Sequence, residues 1–189
     1  MLVHQPHAEN TGLMLEDVLS AVKARSNLSF WLDGKNLSSS KNCNGLLSFL
    51  KIHKLPESNI LIEFPFGSHV AKAEIGDCVN ELKTMGSVYT SYNVPTEDAL
   101  NCSKALMDGK IFTSESSCRA LEDDLTAAQQ SNLFTDISFD YGGVKVIEAL
   151  SVASHFRWNT WQVKASELES IKPSRFHMVI LTNDDPNSM

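Results

Sequence analysis

The sequence has 189 residues, 42% of them hydrophobic, and a formal net charge of -7. This length and apolar content predict one globular domain with a single sizeable core. The acidic balance, without any basic stripe, argues against nucleic acid or an anionic membrane as the main partner. No apolar stretch approaches the roughly 18 residues that form a membrane span, so we expect no transmembrane segment.

Short apolar runs alternate with helical patterns along the whole chain, which is typical of a parallel sheet covered by helices. The predicted strands are Leu2 to His4, Leu28 to Leu32, Asn59 to Phe64, Ser87 to Val94, Ile137 to Tyr141, Arg157 to Val163 and Phe176 to Leu181. The predicted helices run from Leu13 to Arg25, through Leu46 to Leu50, through Ile75 to Leu82, and over Ala99 to Met107, Cys118 to Gln130, Val144 to Ala153 and Ala165 to Ile171. No linker divides this series, so residues 1–189 are predicted to form one domain.

Two architectures fit such a series, a doubly wound sheet and an eight-stranded (β/α) barrel. Polar residues cluster directly after the predicted strands, where a barrel gathers them at one mouth, so we favour the barrel. They are His4 and His7, Asp33 and Lys35, Glu63, Asn93, Asp140, Asn159 with Trp161, and Asn183 to Asp185. No glycine-rich dinucleotide or P-loop motif follows the early strands, so a nucleotide site has no support.

The segment Asp33-Gly34-Lys35 ends the second predicted strand and is the strongest functional signal. Residues two apart on a strand share a face, so Asp33 and Lys35 should project together while Gly34 leaves the space between them open. A carboxylate can ligate a hard cation such as Mg²⁺ or Ca²⁺, and a lysine supplies a compact charge for a phosphoryl oxygen. The alternative is a surface salt bridge.

Other ionisable residues give weaker signals. Glu63 ends a very apolar strand, where an ionised carboxylate is costly unless it meets a cation, so it is a second metal-ligand candidate. Four histidines have no evident carboxylate partner and are predicted to be structural: His53, His69, His155 and His177. Asp140 and Asp185 are predicted to cap the loops that follow them.

Several motifs, in order, resemble the glycerophosphodiester phosphodiesterase-like superfamily of barrels, including its menorin-type relatives. His4-Gln5-Pro6 followed by Leu15-Glu16-Asp17-Val18-Leu19 is similar to a catalytic histidine segment and the helix after it. Residues 28–36 (LSFWLDGKN) resemble the metal-binding "D-x-K" strand, residues 158–163 (WNTWQV) the "v-n-v-W-T-v" strand, and residues 180–186 (ILTNDDP) the terminal "i-i-T-D-x-P".

The chain departs from this family at its start. The family's first strand carries an H-R-G histidine and an E-x-D pair of metal ligands, and neither motif occurs ahead of the segments that resemble the later strands. We therefore expect an α/β, TIM-barrel-like fold that is incomplete, with about seven strands and without the first strand–helix unit. A metal site built on this chain would lack part of the family's ligand set.

The resemblance implies a metal-dependent phosphodiester hydrolase that acts on a small phosphodiester or a lipid-derived substrate. Asp33 would bind a divalent metal, Mg²⁺ or Ca²⁺, and Lys35 would hold the phosphate. His4, in competition with the nearby His7, would protonate the leaving alkoxide, and Trp161 would form an aromatic wall beside the substrate or else be a core residue. The alternative is a catalytically inactive binding or scaffold protein that retains the barrel fold.

Cys43, Cys78, Cys102 and Cys118 form no C-x-x-C pair, which argues against a zinc site and leaves a disulfide framework unproven. The default expectation is four thiols in a reducing compartment. In addition, the first residues lack the basic start and apolar centre of a secretion signal. We therefore predict a cytoplasmic location. Asn27, Asn36 and Asn101 each begin an N-x-Ser triplet, which matters only in a secreted protein.

Overall fold

The computed structural model describes residues 14–22, 29–34, 36–53, 60–65, 72–86, 88–171 and 174–181. These ranges form an α/β fold around one six-stranded parallel sheet. The strands are β1 (Phe30–Asp33), β2 (Ile60–Phe64), β3 (Val88–Asn93), β4 (Asp136–Asp140), β5 (Arg157–Val163) and β6 (Phe176–Leu181). The predicted first strand, Leu2 to His4, lies outside the described residues, and the other six predicted strands are confirmed.

Strand order distinguishes between the two architectures. The strands lie in the order β1-β2-β3-β4-β5-β6, and each pairs in parallel with the next along the chain. Because such crossovers are right-handed, adding strands always in one direction places the helices on one face. A doubly wound sheet would reverse direction at a switch point. The sheet is a curled half-barrel, so an incomplete barrel-like fold is confirmed, and the described strands do not close into a full barrel.

The helices also follow the predicted series. They are α1 (Leu15–Val22), α2 (Ser40–His53), α3 (Lys72–Lys83), α4 (Thr96–Met107), α5 (Ser116–Ser131) and α6 (Val144–Ala149). Short 3-10 turns occupy Phe112–Ser114, Tyr141–Gly143, Ser151–His155 and Ala165–Ser170. The predicted helix from Val144 to Ala153 is therefore wrong in its second half, because Leu150 is extended (φ -86°, ψ 112°) and divides it.

Two apolar clusters join the helices to the sheet. One packs α2 and α3 on the first strands through residues such as Leu50, Ile62 and Val79. The other packs α4, α5 and α6 on the later strands through residues such as Leu121 and Phe139. Alternate strand residues therefore face the helices, and the remainder line the opposite face, called here the concave face.

All four cysteines form disulfides, so the expectation of free thiols is wrong. Cys43 of α2 pairs with Cys78 of α3, with their Cα atoms 6.1 Å apart. Cys102 of α4 pairs with Cys118 of α5 at a Cα separation of 4.9 Å. The sequence could not reveal these pairs because each joins two helices whose contact is created by packing. Within the described ranges, no helix has the length and apolar character needed to cross a membrane.

Candidate functional site at the carboxyl rim

Two acidic residues meet at the carboxyl end of the sheet. Asp33, the last residue of β1, is the register partner of Glu63 on β2. Register partners on neighbouring parallel strands point to the same face, about 4.8 Å apart in the backbone. Asp33 is exposed and Glu63 is buried. The structure therefore brings together the two residues that the sequence proposed as metal ligands.

Among the described residues, two neutral donors contact the Glu63 carboxylate. Its Oε2 accepts a hydrogen bond from Trp31 Nε1 at 3.0 Å, and its Oε1 accepts one from Asn93 Nδ2 at 2.6 Å. The residue is only 4% exposed, so an ionised carboxylate there depends on such donors. These bonds also fix the orientation of the carboxylate toward the concave face.

Gly34 allows β1 and the residues after it to approach β2 closely. Its backbone N–H donates to the Glu63 carbonyl oxygen at 2.9 Å. A Cβ atom at this position would lie 2.6 Å from that same oxygen, which is inside van der Waals contact. A Cβ atom would also meet the side chain of the buried Leu37, so Gly34 is required by packing at the rim.

Trp161 also reaches this rim. It is half-buried, and its ring lies 6.0 Å from the Trp31 ring in an edge-to-face arrangement. The register between β5 and β6 is irregular from Thr160 to Val163, and Gln162 has a φ of 60°. A non-glycine residue in this left-handed region marks a bulge, which redirects the neighbouring side chains of a strand.

We call Trp31, Asp33, Glu63, Asn93 and Trp161 the rim cluster. Of the predicted site residues, Asp33, Glu63 and Trp161 belong to it. Lys35 and His4 lie outside the described residues, as does His7, so their roles stay predictions.

Sequence reasoning missed one member of the rim cluster, Trp31. Trp31 stands two residues before Asp33, and strand alternation alone places both on one face. Asn93 ends β3, and its predicted place at the carboxyl rim is confirmed by its hydrogen bond to Glu63. Asp140, by contrast, has the predicted capping role, because its Oδ1 accepts a hydrogen bond from the Gly142 N–H at 2.8 Å.

A second polar cluster lies at the opposite, amino-terminal end of the strands. Asp136 is fully buried, and its Oδ2 accepts a hydrogen bond from Arg157 Nη2 at 2.7 Å. His177 Nδ1 lies 3.0 Å from its Oδ1, and Asn159 Nδ2 donates to that oxygen at 3.3 Å. The prediction that His177 lacks a carboxylate partner is therefore wrong. We call Asp136, Arg157, Asn159 and His177 the floor cluster. The prediction that Asn159 gathers with the other polar residues at the carboxyl rim is therefore wrong, because its side chain bonds Asp136 instead.

Aromatic contacts close the floor cluster. The Arg157 guanidinium lies 4.0 Å from the centre of the Tyr89 ring, and that ring meets His177 edge to face at 4.8 Å. Since the amino-terminal end of a (β/α) sheet usually serves stability, we interpret this cluster as structural. A cavity of about 210 Å³ beside it is lined by Arg157, Ser174, Arg175, Phe176 and His177, away from the rim cluster.

The carboxylate oxygens at the rim are suitable ligands for a hard divalent cation, but there are few of them. Carboxylate oxygens are the ligands preferred by Mg²⁺ and Ca²⁺. Among the described residues, however, no group of three or more His, Cys, Asp and Glu side chains is arranged to hold a metal ion. A cation there would take its remaining ligands from water, a bound phosphate or residues outside the described ranges.

No family model matches the chain, and no curated protein or solved structure matches it either. The resemblance to the glycerophosphodiester phosphodiesterase-like superfamily therefore stays a prediction from the motifs.

Proposed function

We propose that this chain is a metal-dependent phosphodiester hydrolase of the glycerophosphodiester phosphodiesterase type, built on an incomplete TIM-barrel fold. The single observation that best supports the proposal is the pairing of Asp33 with Glu63 at the carboxyl rim. This is the end of a (β/α) sheet at which barrel enzymes place their chemistry. One carboxylate is solvent-exposed and the other is oriented by its hydrogen bonds, which suits a site that recruits a cation from water.

Coordination chemistry favours Mg²⁺ over Ca²⁺ for this site. Ca²⁺ takes six to eight oxygen ligands, usually many of them from the protein, whereas Mg²⁺ commonly uses one or two carboxylates together with water and substrate phosphate. Two carboxylates match the Mg²⁺ pattern. When bound, the cation would supply charge stabilisation for the phosphodiester oxygens.

The remaining roles come from the resemblance. Lys35, two residues beyond Asp33, would bind a phosphoryl oxygen, and His4 would donate a proton to the leaving alkoxide. Trp161 would contact the organic part of a small or lipid-derived phosphodiester. Its partial burial against Trp31 leaves part of the ring accessible for such a contact.

A non-catalytic binding protein with the same fold is the second candidate. The observation in its favour is that both oxygens of Glu63 already accept hydrogen bonds from Trp31 and Asn93. A carboxylate satisfied in this way is a good structural element and a less available metal ligand. This candidate predicts a stable fold with neither turnover nor a response to Mg²⁺.

The predicted cytoplasmic location stays a prediction. Two buried disulfides favour an oxidising compartment instead, because thiols are kept reduced in the cytosol of most cells.

The test measures hydrolysis of bis(4-nitrophenyl) phosphate and glycerophosphocholine by the full chain with Mg²⁺, Ca²⁺ or a chelator. We expect Mg²⁺-dependent turnover that falls by about 10- to 100-fold or more in Asp33→Asn, since loss of metal-site groups commonly costs at least this much. The matched control is Asp123→Asn. It makes the same chemical change at an exposed position on α5, a helix that contributes no residue to the rim cluster.

Thermal unfolding in the same solutions separates the two candidates. If the hydrolase proposal is right, Mg²⁺ raises Tm for the unaltered chain and for Asp123→Asn but not for Asp33→Asn. A chain that folds, shows no turnover on either substrate and has the same Tm with Mg²⁺ and with chelator would overturn the proposal in favour of the binding protein.

A further inference from the structure

We propose that Asn36 is an N-glycosylation site and that the chain matures in an oxidising, glycosylating compartment. Two independent features of the molecule support this: the disulfides and the exposure of one particular N-x-Ser triplet. The inference does not depend on the proposed hydrolase activity.

The disulfides identify the kind of compartment. Cys43, Cys78, Cys102 and Cys118 are at most 3% exposed, and all are oxidised in two pairs that join consecutive helices. Buried structural disulfides form where folding takes place in an oxidising environment, such as the lumen of the secretory pathway. That environment is also where N-x-Ser triplets become acceptors for glycans.

The local structure of the Asn36 triplet suits a glycan. Residues 36–38 form a turn directly after β1, and Asn36 and Ser38 are both exposed. Leu37, between them, is 2% exposed and packs into the core beneath α2 and α3. The Asn36 carbonyl accepts a hydrogen bond from Asn42 Nδ2 at 2.7 Å, which ties the turn to α2. The turn therefore leaves Asn36 and Ser38 exposed to solvent, while the buried Leu37 between them fixes the turn to the core.

The Asn101 triplet provides an internal comparison. Asn101 is exposed but lies within α4, and the next residue, Cys102, is a buried half of a disulfide. Ser103, the third residue of that triplet, is only 8% exposed. The two triplets therefore differ in the accessibility of their serine, and this difference favours Asn36. The Asn27 triplet begins outside the described residues.

The chemistry requires a co-reactant, an oligosaccharide carried on a polyprenyl diphosphate. The side-chain amide nitrogen of Asn36 forms a bond to the anomeric carbon of the sugar, and the proton that the amide loses is balanced by the basic oxygen of the departing diphosphate. The bond between that carbon and the diphosphate oxygen breaks, and the polyprenyl diphosphate leaves with the bonding electrons. No oxidation or reduction occurs in this transfer. The attached glycan would extend from the same edge of the sheet as Asp33.

The experiment expresses the full chain in eukaryotic cells behind a cleavable secretion leader. Peptide-N-glycosidase then converts any glycosylated asparagine to aspartate, and peptide mass spectrometry locates the conversion. Non-reducing peptide mapping of the same sample reports the two disulfides. The variants are Asn36→Gln, Ser38→Ala, which destroys the triplet but keeps its asparagine, and Ser38→Thr, which keeps the triplet. Asn44→Gln removes a nearby exposed asparagine that begins no triplet.

We expect conversion at Asn36 in the unaltered chain, in Ser38→Thr and in Asn44→Gln, and complete loss of conversion in Asn36→Gln and Ser38→Ala. Because Ser38→Ala leaves Asn36 in place, a folding defect of Asn36→Gln alone cannot produce this pattern. A secreted chain with both disulfides formed and Asn36 unmodified would overturn the proposal. Secretion of the chain with its cysteines reduced would overturn it as well, by removing the premise of an oxidised fold.

Discussion

Replacement of Glu63 by glutamine tests whether the rim cluster is built as described. Glu63 accepts hydrogen bonds from Trp31 and Asn93, and bonds to a charged group are each worth about 1.5 to 3 kcal/mol. Glutamine keeps one acceptor oxygen and turns an NH₂ group toward the other donor. One charge-assisted bond is therefore lost, and a buried donor is left facing another donor. We expect a loss of about 2 to 4 kcal/mol in the free energy of unfolding.

Urea unfolding under non-reducing conditions measures this loss. With an m-value of about 2 kcal/mol per molar urea, the unfolding midpoint should fall by roughly 1 to 2 M. The matched control is Glu122→Gln on the exposed side of α5, which should change the free energy of unfolding by about 0.5 kcal/mol or less.

A double-mutant cycle isolates the hydrogen bond itself. Trp31→Phe removes the indole N–H and keeps an aromatic ring, so the effects of Glu63→Gln and Trp31→Phe should fall short of additivity by about 1 kcal/mol or more. If Glu63→Gln unfolds at the same urea concentration as the unaltered chain, the carboxylate is not held by these donors and the account of the rim is wrong. Strict additivity would refute the contribution of the indole N–H.

The remaining predictions concern the floor cluster and the disulfides. Asp136→Ala should lower the free energy of unfolding by about 3 kcal/mol, or Tm by roughly 6 to 12 °C. The reason is that it removes a fully buried carboxylate that accepts hydrogen bonds from Thr135, Arg157 and Asn159. A Tm within about 2 °C of the unaltered chain would contradict this. The Cys43–Cys78 bond closes a 35-residue separation and the Cys102–Cys118 bond a 16-residue separation. Replacing each pair by alanines should cost about 4 and about 3 kcal/mol, respectively, in calorimetric or denaturant unfolding. A larger loss for the Cys102–Cys118 pair would count against chain entropy as the source of stabilisation.

The periodic segments were predictable because their signal is local. The apolar run of β2 and the spacing of Leu121, Leu125 and Ala128 in α5 carry their own periodicity, and the structure places these elements within a few residues of the prediction. The break after α6 was not predictable, because Leu150 is apolar and continues the helical pattern while its backbone is extended. The Gln162 bulge was missed for a similar reason. Its neighbours, Trp161 and Val163, are residues typical of strands, so the pattern predicts an unbroken strand.

The candidate site was predictable only in part. Asp33 and Glu63 stood out as acids at the ends of apolar strands, and sheet register then made them neighbours. The donors that hold Glu63 and the carboxylate that pairs with His177 come from other strands, 30 to 41 residues away. A local sequence pattern cannot predict which residues come into contact when they are this far apart in the sequence.

The order of strands and helices and the acidic strand ends were determined by the sequence alone, because hydrophobic periodicity and residue chemistry are properties of short segments. The two disulfides, the break after α6, and the division of polar residues between rim and floor were decided only by tertiary structure. Each depends on which segments pack together, and that choice minimises the free energy of the whole chain rather than of any one element.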